Sequence, residues 1–157
     1  MKKFARMLAL TLSLAMILVL GGCGKSEYVS FDDVYAELME KIDFGDNMTD
    51  MSERALENFY FVYDADILED YAIYMDESNA TPNEIALFRL AKESDVTTME
   101  TIVNNRINDL IVGFEDYNKD ELYKLENAVV KTKGEYVMMV ICGDNAKAAE
   151  ILSSYLK

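Results

Sequence analysis

Cys23 is the residue whose surroundings most clearly indicate a chemical modification. It directly follows Gly21 and Gly22, and an apolar run from Met7 to Leu20 precedes them. Three basic residues stand ahead of that run, which is shorter than the roughly 20 apolar residues that a membrane-spanning helix needs. This order is typical of a secretory signal. The Gly-Gly-Cys end resembles the bacterial lipobox, so we predict that residues 1–22 are removed and that Cys23 is lipidated.

The chain contains no histidine, the commonest general acid or base near neutral pH. Histidine-based triads and zinc hydrolases therefore lose their usual centre, and no P-loop, GxGxxG turn, GxSxG elbow or CxxC pair replaces them. Two carboxylates can hydrolyse glycosidic bonds, so a carboxylate-based envelope hydrolase is an alternative function. Several acidic residues are close neighbours in the sequence, and we interpret them as solvated surface rather than as catalytic residues. They are Asp64 and Asp66, Glu69 and Asp70, and Glu115 and Asp116.

An acidic segment after the first predicted helix could supply oxygen ligands to calcium. It contains Asp43, Asp46, Asn47, Asp50 and Glu53. An EF-hand loop needs a central glycine, whereas the glycine of this segment precedes most of the acids. A capped loop between helices is therefore the favoured interpretation, and we predict neither a metal site nor a cofactor.

Three further features have both a structural and a functional interpretation. The aromatic residues Phe59, Tyr60, Phe61 and Tyr63 fit a core with a half-exposed rim better than a platform for sugar or peptide. Arg106 lies near the apolar face of a predicted helix, where we expect it to snorkel or to pair with an acid, with binding of an anionic group as the alternative. Cys142 ends an apolar run, which favours a buried, inert thiol over a reactive one.

Composition limits the partners and the compartment. The predicted signal contains three of the 15 basic residues and none of the 29 acidic ones, so the mature chain would carry a net charge of −17. Such a surface repels nucleic acid phosphates, and we expect no nucleic-acid partner. Only two cysteines occur, so with Cys23 lipidated no disulfide framework can form.

Hydrophobic periodicity predicts one α+β domain over residues 31–157, after a lipidated N-terminus and short tether over residues 23–30. The expected order is ααββαββα, with a mainly antiparallel sheet of about four strands and helices packed on it. Ser30, Ser52 and Asp144 or Asn145 are the expected helix caps. The predicted helices begin near residues 30, 52, 94 and 144, and the predicted strands are 71–75, 84–91, 128–132 and 135–142.

Several segments carry a resemblance to a known family. They are DYAIYM at 70–75, EIALFRL at 84–90, Arg106 with Phe114 and Tyr117, LENAVV at 125–130 and GEYVMMVI at 134–141. Over roughly residues 31–152 the chain resembles an uncharacterised bacterial lipoprotein family, domain of unknown function 4358. The resemblance implies an exported, lipid-anchored single domain in a cell with one membrane, and it implies no catalytic or ligand-binding residue.

These observations together lead to an expected function. The chain should be an exported lipoprotein that is held on the extracytoplasmic face of the cell membrane through Cys23. There it should act as a non-enzymatic binding or interaction module, with a protein, peptide or small-molecule partner.

Overall fold

The structure is a computed structural model that describes residues 28–157. The predicted signal, Cys23 and the first part of the tether lie outside the described residues. Within residues 28–157, no helix combines the length and the apolar character that crossing a membrane would require.

Five α-helices and five strands make up the described part of the chain. The helices are α1 (Phe31–Lys41), α2 (Ser52–Asn58), α3 (Val96–Tyr117), α4 (Leu122–Glu126) and α5 (Asn145–Tyr155). The strands are β1 (Met48–Asp50), β2 (Leu68–Asp76), β3 (Glu84–Leu90), β4 (Val129–Lys133) and β5 (Tyr136–Ile141). Short 3-10 turns precede β2, α3 and α4.

The strands form one sheet in the order β1-β2-β3-β5-β4, and all neighbouring strands are antiparallel. The predicted α+β class and mainly antiparallel sheet are confirmed. The predicted order was incomplete, because the segment between the first two helices contains β1, which pairs with the end of β2. A strand of three residues offers too little alternation to stand out from a loop.

Helices cover both faces of the sheet. The helices α2, α3 and α4 pack on one face, whereas α1 and α5 pack on the other. Successive side chains of a strand point to opposite faces, so β3 and β5 supply apolar residues to both cores. Every residue of β5 is buried, as expected of an inner strand that is covered on both faces.

The helix caps explain where the helices begin. Ser30 Oγ accepts a hydrogen bond from the Asp33 N–H at 3.3 Å, and Asp144 Oδ1 accepts one from the Lys147 N–H at 3.0 Å, as predicted. The predicted Ser52 cap was wrong, because Ser52 is the first residue of α2 and Met51 holds the cap position. The Ser52 hydroxyl instead accepts a hydrogen bond from the Ile73 N–H at 2.9 Å and so joins α2 to β2.

Candidate functional site

The buried polar side chains of the described residues gather around the start of β3 and the end of β2. Glu84, the first residue of β3, is only 1% exposed, which is rare for a carboxylate that lacks a partner. The complete set is Asp76, Asn83, Glu84, Arg106 and Lys124. Buried charges of this kind mark either a functional site or a structural network, and their hydrogen bonds decide between the two.

Glu84 is held by two partners from other elements. Arg106 of α3 donates to Oε2 from Nη2 at 2.9 Å and from Nε at 3.2 Å. The Tyr60 hydroxyl donates to Oε1, and burial, followed by the negative charge of Glu84, raises the pKa of Tyr60. The guanidinium carbon of Arg106 also lies 4.7 Å from the centre of the Phe59 ring. Both carboxylate oxygens are therefore engaged, and the cluster is a closed structural network.

The prediction that Arg106 pairs with an acid is confirmed, but the partner Glu84 was missed from the sequence. In the sequence, Glu84 is only the first residue of a predicted strand. The sequence did contain an indication of this pair. The strand β3 is otherwise apolar apart from Arg89, and a charged residue in such a strand needs an opposite charge. Arg106, on the apolar face of α3, was the obvious candidate for that charge.

Lys124 and Asn83 extend the closed network. Lys124 Nζ lies 2.7 Å from Glu121 Oε2 and donates to Asn83 Oδ1 at 3.1 Å. The side-chain amide of Asn83 then donates to the Phe44 carbonyl at 2.9 Å. These contacts tie α4 and the loop after α1 to the start of β3, and they leave Lys124 no role as a free cation.

Cys142 has the character that its apolar surroundings predict. It is buried and forms no disulfide within residues 28–157, and burial raises the pKa of its thiol. The thiolate is the reactive form of cysteine. Cys142 is therefore an inert core residue.

The aromatic segment divides into core and surface. Tyr60 is buried, whereas Phe61 and Tyr63 are 59% and 77% exposed. The arrangement matches a core with an exposed rim. Phe59 is engaged with Arg106, so these rings do not form one shared platform.

The acidic segments are placed mostly at the surface. Asp43 Oδ1 accepts a hydrogen bond from the Gly45 N–H, and Asp50 Oδ1 accepts one from the Ser52 N–H, both at 2.9 Å. In the part of the chain that the structure describes, no group of three or more acidic, cysteine or histidine side chains is arranged to hold a metal ion. The acidic residues that are close neighbours in the sequence, predicted to be solvated surface, are exposed except for Asp70, which is partly covered.

Open grooves occur where the chain enters the domain. The largest of those described here has a volume of about 820 Å³ and lies between the segment 28–30, the turn from β4 to β5 and the C-terminal residues 154–157. A second, of about 590 Å³, surrounds residues 50–54. A third, of about 250 Å³, shares Tyr28 and Ser30 with the first and Asp50, Ser52 and Tyr71 with the second. The three grooves are therefore neighbours, and we refer to them together as the depression.

The last residues of the predicted tether pack against the domain. Val29 is only 6% exposed, and its N–H donates to the Tyr136 hydroxyl at 3.2 Å. The guanidinium carbon of Arg89 lies 5.6 Å from the centre of the Tyr28 ring. Contacts with the domain therefore extend back into the predicted tether as far as Tyr28.

We call the third groove the tyrosine–aspartate pocket, because three residues of each type line it. It lies at the edge of β2, where β1 ends: β1 pairs only with Tyr74, Met75 and Asp76. Beyond Tyr74, the edge of β2 is met by the residues that lead into α2, since the Met51 N–H donates to the Ile73 carbonyl at 2.8 Å. The six residues that give the pocket its name are Tyr28, Tyr71, Tyr74, Asp32, Asp50 and Asp70.

The electrostatics of the pocket are those of an acidic, partly buried aromatic site. Tyr35 stacks on Tyr74, with ring centres 3.7 Å apart and an angle of 16° between the planes. Burial, followed by the negative charges of Asp50 and Asp32, raises the pKa of Tyr74. Asp70 Oδ1 accepts the Tyr71 N–H at 2.9 Å. Neither lysine nor arginine is among the residues that line this pocket.

The sequence alone does not bring these six residues together, because they come from three separate segments of the chain, 28–32, 50 and 70–74. Comparison with known proteins does not assign them a role either: no curated protein and no solved structure matches the chain. A family match does exist and covers β1 to β5. Residues 40–142 match the model of the family described as Domain of unknown function (DUF4358), and the chain belongs to that family.

Proposed function

We propose that the protein is an exported lipoprotein, anchored through Cys23 to the extracytoplasmic face of the cell membrane, and that it acts there as a non-enzymatic binding module. The basic, apolar and small residues ahead of Cys23 support export and lipidation. The observation that carries the binding role is the open depression beside Tyr28, which contrasts with the closed network around Glu84.

The short tether supports a position close to the bilayer. From Cys23 to Tyr28 the chain advances five residues, which span at most about 18 Å when fully extended. Val29 is fixed in the core, so the depression and the lipid lie near each other. A partner bound there would be held at the membrane surface.

A carboxylate-based hydrolase has less support. Such an enzyme needs two acids that face a common cleft, one of them protonated. Asp32, Asp50 and Asp70 line one groove, but Asp32 and Asp50 are exposed, unlike the buried acid of such a site. Glu84, the most deeply buried acid of the described residues, has both oxygens engaged by Arg106 and Tyr60. It lines none of the three grooves described above.

The anchor is tested by replacing Cys23 with Ala and separating membranes from the soluble and secreted fractions. The wild-type protein should fractionate with membranes, and the Cys23→Ala variant should be released or mislocalised. A processed Ala variant that remained wholly with the membranes would refute the lipid anchor.

The binding role is tested by site-specific photo-crosslinking in cells followed by mass spectrometry. A crosslinking residue at Glu93, which lines the largest groove, should capture a specific partner or ligand. The same residue at the exposed position Glu115, which lines none of the three grooves, is the matched control. Identical products at both positions, or no specific product at Glu93 under several growth conditions, would count against a binding module.

A further inference from the structure

We infer that the free edge of β4 binds an extended, acidic segment of a partner protein, which adds one more strand to the sheet. β4 stands at the end of the sheet order and, among the described strands, pairs with β5 alone. Its last residue, Lys133, also lines the largest groove, so the edge continues into the depression. The inference rests on the proposed binding function and names the class of partner.

The hydrogen bonds around β5 fix the direction of the backbone groups of β4. The Leu90 N–H donates to the Glu135 carbonyl at 2.8 Å, so Glu135 directs its backbone groups to β3. Neighbouring residues of a strand direct theirs to opposite sides, so Tyr136 faces β4, where it pairs with Lys133. Lys133 and, two residues earlier, Lys131 therefore use their backbone groups to pair with β5.

The alternate residues of β4, Val130 and Thr132, turn their N–H and carbonyl groups to the free edge. No hydrogen bond among the described residues uses these four groups. Val130 is partly covered and Thr132 is exposed. β4 thus offers two donors and two acceptors, and an unpaired strand edge of this kind can take up an extended peptide.

The side chains of β4 select the charge of that peptide. The strand contains Lys131 and Lys133 and no acid, although the whole chain has a net charge of −14. Neither lysine forms an ion pair with a described residue. In an added strand, the side chains directly opposite these lysines lie close enough for opposite charges to attract.

Two acids of neighbouring elements have basic partners of their own. Glu150 of α5, which packs beside β4, is paired with Lys147 at 2.9 Å. Glu135, in the turn after β4, has Oε1 3.6 Å from Arg89 Nε. Exposed charges more than about 8 Å away are largely screened at physiological ionic strength, so the lysines set the potential at the edge.

The faces of β4 predict the pattern of the partner segment. Lys131 and Lys133 lie on the same face as Val129, whereas Val130 lies on the opposite face and packs against the other core. An added strand should therefore carry acids two residues apart, with an apolar residue between them.

A second copy of this chain is disfavoured as the occupant. An antiparallel pair of β4 strands that used the outward groups of both Val130 and Thr132 would place Lys131 directly opposite its own copy. Like charges in that position are destabilising, and lysines on edge strands protect proteins against such pairing. The lysines that discourage self-pairing attract an acidic strand, which gives the edge its specificity.

The test is calorimetric titration of the full chain, in a maltoside detergent, with the synthetic peptide TEVEVT, acetylated and amidated at its ends. The peptide TKVKVT, which has lysine in place of both glutamates, is the control ligand. Hydrogen exchange of the Val130 and Thr132 amides reports whether the bound peptide lies on the β4 edge.

Three variants separate the edge from the rest of the surface. Lys131→Glu/Lys133→Glu reverses the charge of the edge, and Lys92→Glu/Lys119→Glu makes the same change of net charge at two exposed lysines elsewhere. Thr132→Pro removes an outward N–H but no bond to β5. Circular dichroism checks that each variant is folded.

We expect saturable binding of TEVEVT to the wild type, with slower exchange of both edge amides. Thr132→Pro and the edge double variant should each weaken binding by about two-fold to thirty-fold, and the surface double variant by less than about two-fold. The edge double variant should instead prefer TKVKVT.

No saturable heat up to about 1 mM TEVEVT, equal binding of both peptides to the wild type, or equal weakening by both double variants would overturn the inference. A wild-type dimer in sedimentation that Thr132→Pro abolished would assign the edge to a second copy and would overturn it too. If TEVEVT did not bind but Glu93 still crosslinked a specific partner, the partner class would fail and the binding function would stand.

Discussion

Asp76 shows how single side chains hold the loop between β2 and β3. Its Oδ1 accepts hydrogen bonds from the N–H and the hydroxyl of Ser78, at 2.9 and 2.5 Å. Its Oδ2 accepts from the N–H and the hydroxyl of Thr81, at 3.2 and 2.6 Å. Burial alone would raise the pKa of Asp76, but these four bonds outweigh it and lower that pKa below its ordinary value of 3.8.

We predict that Asp76→Asn lowers the free energy of unfolding by about 1.5 to 3 kcal/mol at neutral pH, because an amide cannot accept all four bonds. The lowered pKa means that the folded state binds this proton less readily than the unfolded state. The stabilisation by Asp76 is therefore complete above the ordinary pKa and is lost as the pH falls through the lower, folded-state value.

The measurement is urea denaturation of the wild type and the variant at pH 7 and near pH 2.5. The difference between their free energies of unfolding should be smaller at the acidic pH than at pH 7. Exposed Asp116→Asn is the control and should change stability by less than about 0.5 kcal/mol at either pH. If Asp76→Asn lowered the free energy of unfolding as much at the acidic pH as at pH 7, the assigned role of the carboxylate would be contradicted.

At the scale of elements, one buried ion pair positions the longest helix on the sheet. Glu84 begins β3, and Arg106 lies near the middle of α3. Their contact at 2.9 Å is almost completely removed from solvent. The Tyr60 hydroxyl brings the segment after α2 to the same carboxylate, so three elements meet at one charge.

We predict that Arg106→Met alone destabilises the protein by about 3 to 5 kcal/mol, because it leaves the Glu84 carboxylate buried without its cation. The triple variant Tyr60→Phe/Glu84→Met/Arg106→Met replaces every polar group of the contact with an apolar one and should recover most of this loss. Denaturant unfolding of both variants measures the difference. A triple variant as unstable as Arg106→Met would show that packing shape, rather than the unpaired charge, sets the cost.

The long elements could be predicted from the sequence, and the short ones could not. α3 and β5 carry many periodic positions, so their type and approximate bounds followed from the sequence. β1 has three residues and is defined by its pairing with Tyr74 to Asp76, which is a contact between distant parts of the chain. Ser52 satisfies the usual preference for a cap residue, yet its hydroxyl bonds to β2 instead.

At the scale of the whole molecule, residues 28–30 lie beside the C-terminal residues 154–157. The Tyr155 hydroxyl donates to Glu37 Oε2 at 2.7 Å, and the Asp33 carbonyl oxygen lies 3.2 Å from the same hydroxyl. Tyr28 and Lys157 line the same groove. The depression could not be predicted from the sequence, because its walls come from segments that only the fold brings together.

We predict that Val29→Ala lowers the free energy of unfolding by about 1 to 2 kcal/mol, since it removes buried methyl groups from the core under α1 and α5. A residue in a flexible tether would show no such loss. Val112→Ala makes the same change at a position that is 67% exposed and should be nearly neutral. Chemical denaturation measures both, and equal effects would mean that Val29 does not belong to the folded domain.

The docking of Val29 also determines how the domain would respond to mechanical force. If a bound partner pulled against the proposed anchor, tension would pass through Tyr28 and first load the hydrogen bond from Val29 to Tyr136. The load would next reach α1, which lies outside the sheet. We therefore expect α1 to detach first under tension, so that the face of the sheet that α1 shares with α5 is partly uncovered while the five strands stay paired.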